Sequence, residues 1–78
     1  MIELLVRGSW MNFRVEIELE EDGRWIAEVV DLPGVLAYGQ SSTEATTKVQ
    51  ALALRVIAYR LEHGEMAADM VSLSFAAA

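Results

Sequence analysis

Carboxylates are the groups this chain has in number for doing chemistry: twelve Asp and Glu stand against six Lys and Arg, one His and no Cys. Glu16, Glu18 and Glu20 recur at every second position, and Glu21 and Asp22 follow directly. Paired carboxylates can hold Mg²⁺, but ligands for a catalytic metal converge from different elements into a dry cleft. A run at period two lies along one face of one strand, so it reads as a solvated strand face. Asp31, ahead of Leu32-Pro33-Gly34, has the chemistry of a ligand or base, yet an aspartate there more often bonds the backbone of its own turn. His63 is a lone imidazole, which excludes multi-His zinc clusters, and its place in the last turn of a helix suits the negative end of the helix dipole. Ser9, Ser41, Ser42, Ser72 and Ser74 have no credible base, and no Gly-x-Ser-x-Gly elbow exists. Without cysteine there is no disulfide, thiolate metal site or redox pair, and there is no glycine-rich phosphate loop. The expectation is a protein with no catalytic residue, no metal and no cofactor.

The elements that position these residues are readable from periodicity. Phe13, Val15, Ile17 and Leu19 alternate with Arg14, Glu16, Glu18 and Glu20, which predicts a half-buried strand. Asp22-Gly23 supplies the positive φ of a hairpin, and residues 25–30 form the return strand. Asp31-Leu32-Pro33-Gly34 breaks it, residues 35–38 make a third strand antiparallel to the second, and Gly39 breaks again. Ser41-Ser42-Thr43-Glu44 fits a capping box, with Ser41 as cap and Glu44 reaching back to it. The helix then runs to about His63, with Gly64 as its left-handed end. Val71, Leu73 and Phe75 alternate with Ser72 and Ser74 as a fourth strand, followed by an alanine tail. The chain therefore predicts one α+β domain over residues 1–78, a small antiparallel sheet in the order strand-strand-strand-helix-strand with one helix packed on it. Residues 1–12 read as an N-terminal extension, with Met11 available as a second start.

On the helix, Glu44, Lys48, Arg55 and Glu62 mark a narrow polar stripe, while Val49, Ala53, Val56, Ile57 and Leu61 form the side that covers a sheet. Leu52 and Tyr59 fall beside the polar stripe, and Leu54 and Ala58 widen the apolar arc on the other flank. So wide an arc exceeds what one small sheet covers, which points to Leu52, Arg55 and Tyr59 as an interface. Size points the same way: 78 residues without disulfide or metal leave a lone monomer little margin, and a homo-oligomer is the remaining staple. The net charge of −6 opposes nucleic-acid binding and suits a basic partner. Trp25 and Tyr38 have the rings to stack on a base, but no cations interleave with them. No apolar run approaches the roughly 20 residues of a membrane span, and no targeting signal is present, so the expected location is the cytoplasm.

The hairpin ending in Asp31-Leu32-Pro33-Gly34, followed by Gly39-Gln40-Ser41-Ser42-Thr43-Glu44-Ala45, resembles the HicB-type antitoxin domain over about residues 13–63. Gly39, Glu44 and Ala45 match that family's helix-opening motif, Ser41 replaces its threonine cap, Gln40 and Thr43 depart from it, and Val35 stands where a cysteine is frequent. The resemblance makes Asp31, Pro33, Gly34, Gly39, Ser41 and Glu44 structural motif residues. It implies a partial ribonuclease-H-like fold without the nuclease's acidic catalytic set, and a non-catalytic, protein-binding antitoxin that neutralises a small basic RNA-cleaving toxin of the HicA type. The family's C-terminal DNA-binding segment has no counterpart in residues 1–78. The rival expectations are a stand-alone oligomeric domain that binds a small ligand without any toxin, and a metal-dependent nuclease suggested by the parent fold.

Overall fold

The computed structural model describes residues 10–65 and 72–77. In chain order the elements are β1 (Trp10–Leu19), β2 (Trp25–Val29), β3 (Leu36–Gly39), α1 (Ser42–Glu62) and β4 (Ser72–Ala77). β1 and β2 pair antiparallel from Val15↔Val29 to Leu19↔Trp25. The turn between them closes through Gly23 N–H to Glu20 O at 3.0 Å and Glu20 N–H to Arg24 O at 2.7 Å. Gly23 takes the left-handed backbone expected of it, at φ +90°.

The next turn is built differently from the local reading. Leu32 N–H donates to Val29 O and Val35 N–H to Leu32 O, each at 3.1 Å, which swings the buried Leu32 under the sheet. The Asp31 carboxylate reaches beyond its own turn to β1. Its Oδ2 accepts the backbone N–H of Arg14 at 2.8 Å and its Oδ1 lies 3.2 Å from the Arg14 guanidinium. Val30 N–H already donates to Arg14 O at 3.0 Å, so the Asp31 carboxylate replaces the carbonyl that β2 would have supplied one step further along the ladder. Gly34 sits at φ +83° with open space where a Cβ would point; there the backbone conformation calls for glycine, and crowding plays no part.

The sheet order is β3-β2-β1-β4. β3 pairs antiparallel with β2 as expected. β4 instead runs parallel to β1, from Trp10↔Ser72 to Val15↔Ala77, so the sheet is mixed. Chain direction dictates this: α1 returns antiparallel to β3, and a strand following it must run the way β3 and β1 run. Two boundaries move as well. Trp10, Met11 and Asn12 belong to β1, and Ala76 and Ala77 belong to β4; residues 1–9 of the expected extension, and Val71, lie outside the described residues.

α1 covers one face of the sheet, mainly over β3 and β2. Ala45, Val49, Ala53 and Ile57 are its buried residues, each four apart and hence one stripe. They meet Phe13, Val15, Ala27 and Val29 from the sheet. The completely buried side chains of the core are small, Val29 and Val49 being the largest of them. Burying each such residue stabilises the fold by about 1.5–3 kcal/mol. Phe13 and Phe75 tie β4 to β1, their ring centroids 5.9 Å apart at 56°, within the range of favourable tilted aromatic pairs.

The helix ends are satisfied by side chains and turns. Ser41 is extended, and its Oγ accepts the Glu44 N–H at 3.0 Å. The Glu44 carboxylate accepts from Gln40 N–H, one residue ahead of the cap rather than at it. At the other end Glu65 N–H reaches Arg60 O at 2.7 Å and Gly64 N–H reaches Leu61 O at 3.3 Å, the paired bonds of a Schellman termination. No helix among the described residues is long and apolar enough to cross a membrane.

Candidate functional site: the open face of the sheet

Because side chains alternate across a strand, the face away from α1 is set by the same register that builds the core. It carries Asn12, Arg14, Glu16 and Glu18 from β1, Ile26 and Glu28 from β2, and Leu36 and Tyr38 from β3. Two rows cross it: Glu18↔Ile26↔Tyr38 and Glu16↔Glu28↔Leu36. Glu16, Glu18, Ile26 and Glu28 line a shallow depression of about 390 Å³. Leu36 and Tyr38 stay 39% and 38% exposed, an apolar margin beside the acidic centre.

The cations near this face are already engaged. Arg14 pairs with Asp31, and Arg24 pairs with Asp22 at 2.8 Å while its guanidinium lies 4.2 Å from the Tyr38 ring centroid. The Arg14 backbone N–H, then its guanidinium, hold the Asp31 carboxyl below its ordinary pKa. The Arg24 backbone N–H does the same for Asp22, and the Gln40 N–H followed by Lys48 does so for Glu44. Glu16, Glu18 and Glu28 have no ion-pair partner among the described residues. Glu16 and Glu28 face each other directly, an arrangement that destabilises a free sheet. Among the described residues, no three Asp, Glu, His or Cys side chains are grouped to hold a metal ion. What this face can do is attract and seat a cationic surface carrying some apolar contact.

The expected interface residues are placed on one flank of α1 with different burial. Arg55 is exposed and Tyr59 is 56% exposed. Tyr59 stacks on His63 with ring centroids 3.8 Å apart, and His63 Nδ1 lies 2.8 Å from the Tyr59 carbonyl oxygen. Leu52, expected beside the polar stripe, is half-buried and packs against the core. This flank of α1 stands over the β3 side of the sheet, where Leu52 and Ala37 line one groove. The motif residues Asp31, Pro33, Gly34, Gly39, Ser41 and Glu44 are scaffold: they tie turns and the helix start and do not converge on a site.

The sequence reading found the acidic stripe of β1 and missed Glu28, Ile26, Leu36 and Tyr38 as its neighbours. The register decides this: the turn closes on the Glu20–Arg24 pair and sets Glu16 opposite Glu28, whereas a two-residue Asp22-Gly23 turn would set it opposite Val29. No family model matches the chain, and no curated protein or solved structure matches it either.

Proposed function

We propose that this chain is a non-catalytic, cytoplasmic protein-binding domain of the HicB-like kind, which self-associates and offers its open sheet face to a small basic protein such as a HicA-like toxin. The observation that carries the reading is the trio Glu16, Glu18 and Glu28, without an ion pair among the described residues and bordered by Ile26, Leu36 and Tyr38. A cationic partner would gain steering from the acidic field and contact area from the Tyr and aliphatic margin. The resemblance of the Asp31–Gly34 turn and the Gly39–Ala45 helix opening supports the family. The test is capture from the native lysate with wild-type protein and with Glu16→Lys/Glu18→Lys/Glu28→Lys, the retained species being identified by mass. A small basic protein held by wild type and lost from the triple variant is the expected result. Equal capture by both proteins, or retention of RNA alone, refutes the reading.

A further inference from the structure

The outer edge of β3 is open in a specific way. The strand reads Leu36-Ala37-Tyr38-Gly39, with no charge and no proline. Val29 N–H donates to Val35 O at 2.9 Å, and hydrogen-bonded pairs alternate along an antiparallel ladder. Ala37 and Gly39 therefore turn their backbone groups toward β2, and Leu36 and Tyr38 turn theirs outward. Among the described residues no strand pairs with that edge. An uncharged free edge is a template for another strand.

The flank of α1 stands over the same edge. Ala37 forms the floor of a groove of about 480 Å³ whose other walls are Thr47, Lys48, Ala51, Leu52 and Arg55. Tyr59 continues this flank, seven residues beyond Leu52. Helix flank and strand edge are thus one side of the molecule.

We infer that a second copy of this chain seats on that side, β3 against β3, antiparallel, with a two-fold axis through Ala37. In this register Leu36 of each copy lies beside Tyr38 of the other, and all the outward backbone groups of those residues find partners. The two helices run antiparallel over the joined edges. Charge selects the occupant. The flank holds two acids, Glu44 and Glu62, and two bases, Lys48 and Arg55, so it is balanced in a chain of net charge −6. Lys48 lies 3.6 Å from Glu44, whereas Arg55 has no ion pair among the described residues. Antiparallel helices bring Arg55 of one copy to the Glu44–Lys48 pair of the other. The open face, with Glu16, Glu18 and Glu28, would repel its own copy. Two-fold closure is the common solution for a self-complementary patch.

This inference deepens the proposed function, on which it rests for its purpose: joined through Leu36 and Tyr38, two acidic faces become one continuous binding surface. It is tested without any partner, by sedimentation and amide exchange on the pure chain. Sedimentation at micromolar concentration should give twice the 8.6 kDa chain mass, with the Leu36 and Tyr38 amides protected in the dimer and exposed on dilution. Arg55→Glu, at an exposed site, should weaken the dimer about tenfold while leaving the fold intact. A monomeric mass, or a dimer in which those two amides exchange freely, overturns the inference. A protected dimer that captures no basic protein leaves it standing and overturns the proposed function instead; capture by a monomer does the reverse.

Discussion

Replacing Gly39 by alanine should unfold more of this domain than any other single-methyl addition to its turns. The residue is buried and its φ is not positive, so its requirement is for space. A Cβ there would stand 2.5 Å from Ala45 N, 3.0 Å from Ala45 Cα and 3.0 Å from the Glu44 carbonyl carbon. Comfortable contacts are about 3.5–4 Å, so the first turn of α1 must retreat by about 1 Å from the end of β3. These are backbone atoms, and no rotamer change relieves them. The same turn holds Ala45 N–H on Ser41 O and Glu44 N–H on Ser41 Oγ, both at 3.0 Å, so the retreat strains the cap. Overpacking at about 1–3 kcal/mol plus a compromised cap at about 1 kcal/mol gives about 2–4 kcal/mol. For a domain this size each kcal/mol lowers Tm by about 4–8 °C. Thermal and urea melts of Gly39→Ala should be read beside Gly34→Ala, where φ is +83° and the added methyl meets nothing; that control should lose only about 1–2 kcal/mol from backbone strain. Gly39→Ala/Ser41→Ala should lose less than the sum of its parts, since one change already disturbs the other's bond. A Gly39→Ala variant more stable than Gly34→Ala, or strict additivity in the double variant, refutes the reasoning.

Ser41→Ala should cost about 0.5–2 kcal/mol in a chemical melt and Ser42→Ala should cost less, because only Ser41 caps the helix. Asp22, Asp31 and Glu44 have carboxyls lowered from reference values of 3.8, 3.8 and 4.5. Their stabilisation is therefore present above those values and lost as pH falls through them toward the folded-state pKa; Asp31→Asn should flatten the acid limb of a pH-dependent melt, modestly because the groups are solvated. Glu28→Gln should raise the stability of the free domain by a few tenths of a kcal/mol by relieving its opposition to Glu16, and on the proposed function it should weaken capture of a basic protein. Submicromolar binding to duplex DNA or RNA should be absent from gel shifts at about 150 mM salt, since the net charge removes the counterion-release contribution.

Much of this fold was legible because its signals are local. The alternation from Phe13 to Leu19, the Asp22-Gly23 turn, the Ser41 cap and the Gly64 termination each act within a few residues of themselves. Asp31 was misread for the same reason: its partner, the Arg14 N–H, is 17 residues away, and turn chemistry carries no information about it. The direction of β4 is an intermediate case. Nothing local distinguishes a parallel from an antiparallel strand, but counting reversals does: two turns and a returning helix leave the chain running as β1 runs. Leu52 shows the limit of a helical wheel, which orders residues around an axis and does not say where that axis sits over the sheet.

The acidic face was half legible, and the missing half decides its meaning. A stripe of glutamates on one strand is what any solvated strand shows, and taken alone it calls for no partner. The register adds Glu28 directly opposite Glu16 and sets Ile26, Leu36 and Tyr38 beside them. A face that only had to stay in water would gain by placing a cation or a polar neutral residue at position 28, since opposed like charges weaken a ladder. Among the described residues the arginines near this face are instead committed to Asp22 and Asp31, and the three glutamates have no ion-pair partner, while Leu36 and Tyr38 stay exposed beside them. Free, the domain bears the repulsion; bound to a cationic surface, the same glutamates become the attraction. On the proposed reading, the stability that the opposed glutamates cost the isolated chain is returned on association with a cationic surface.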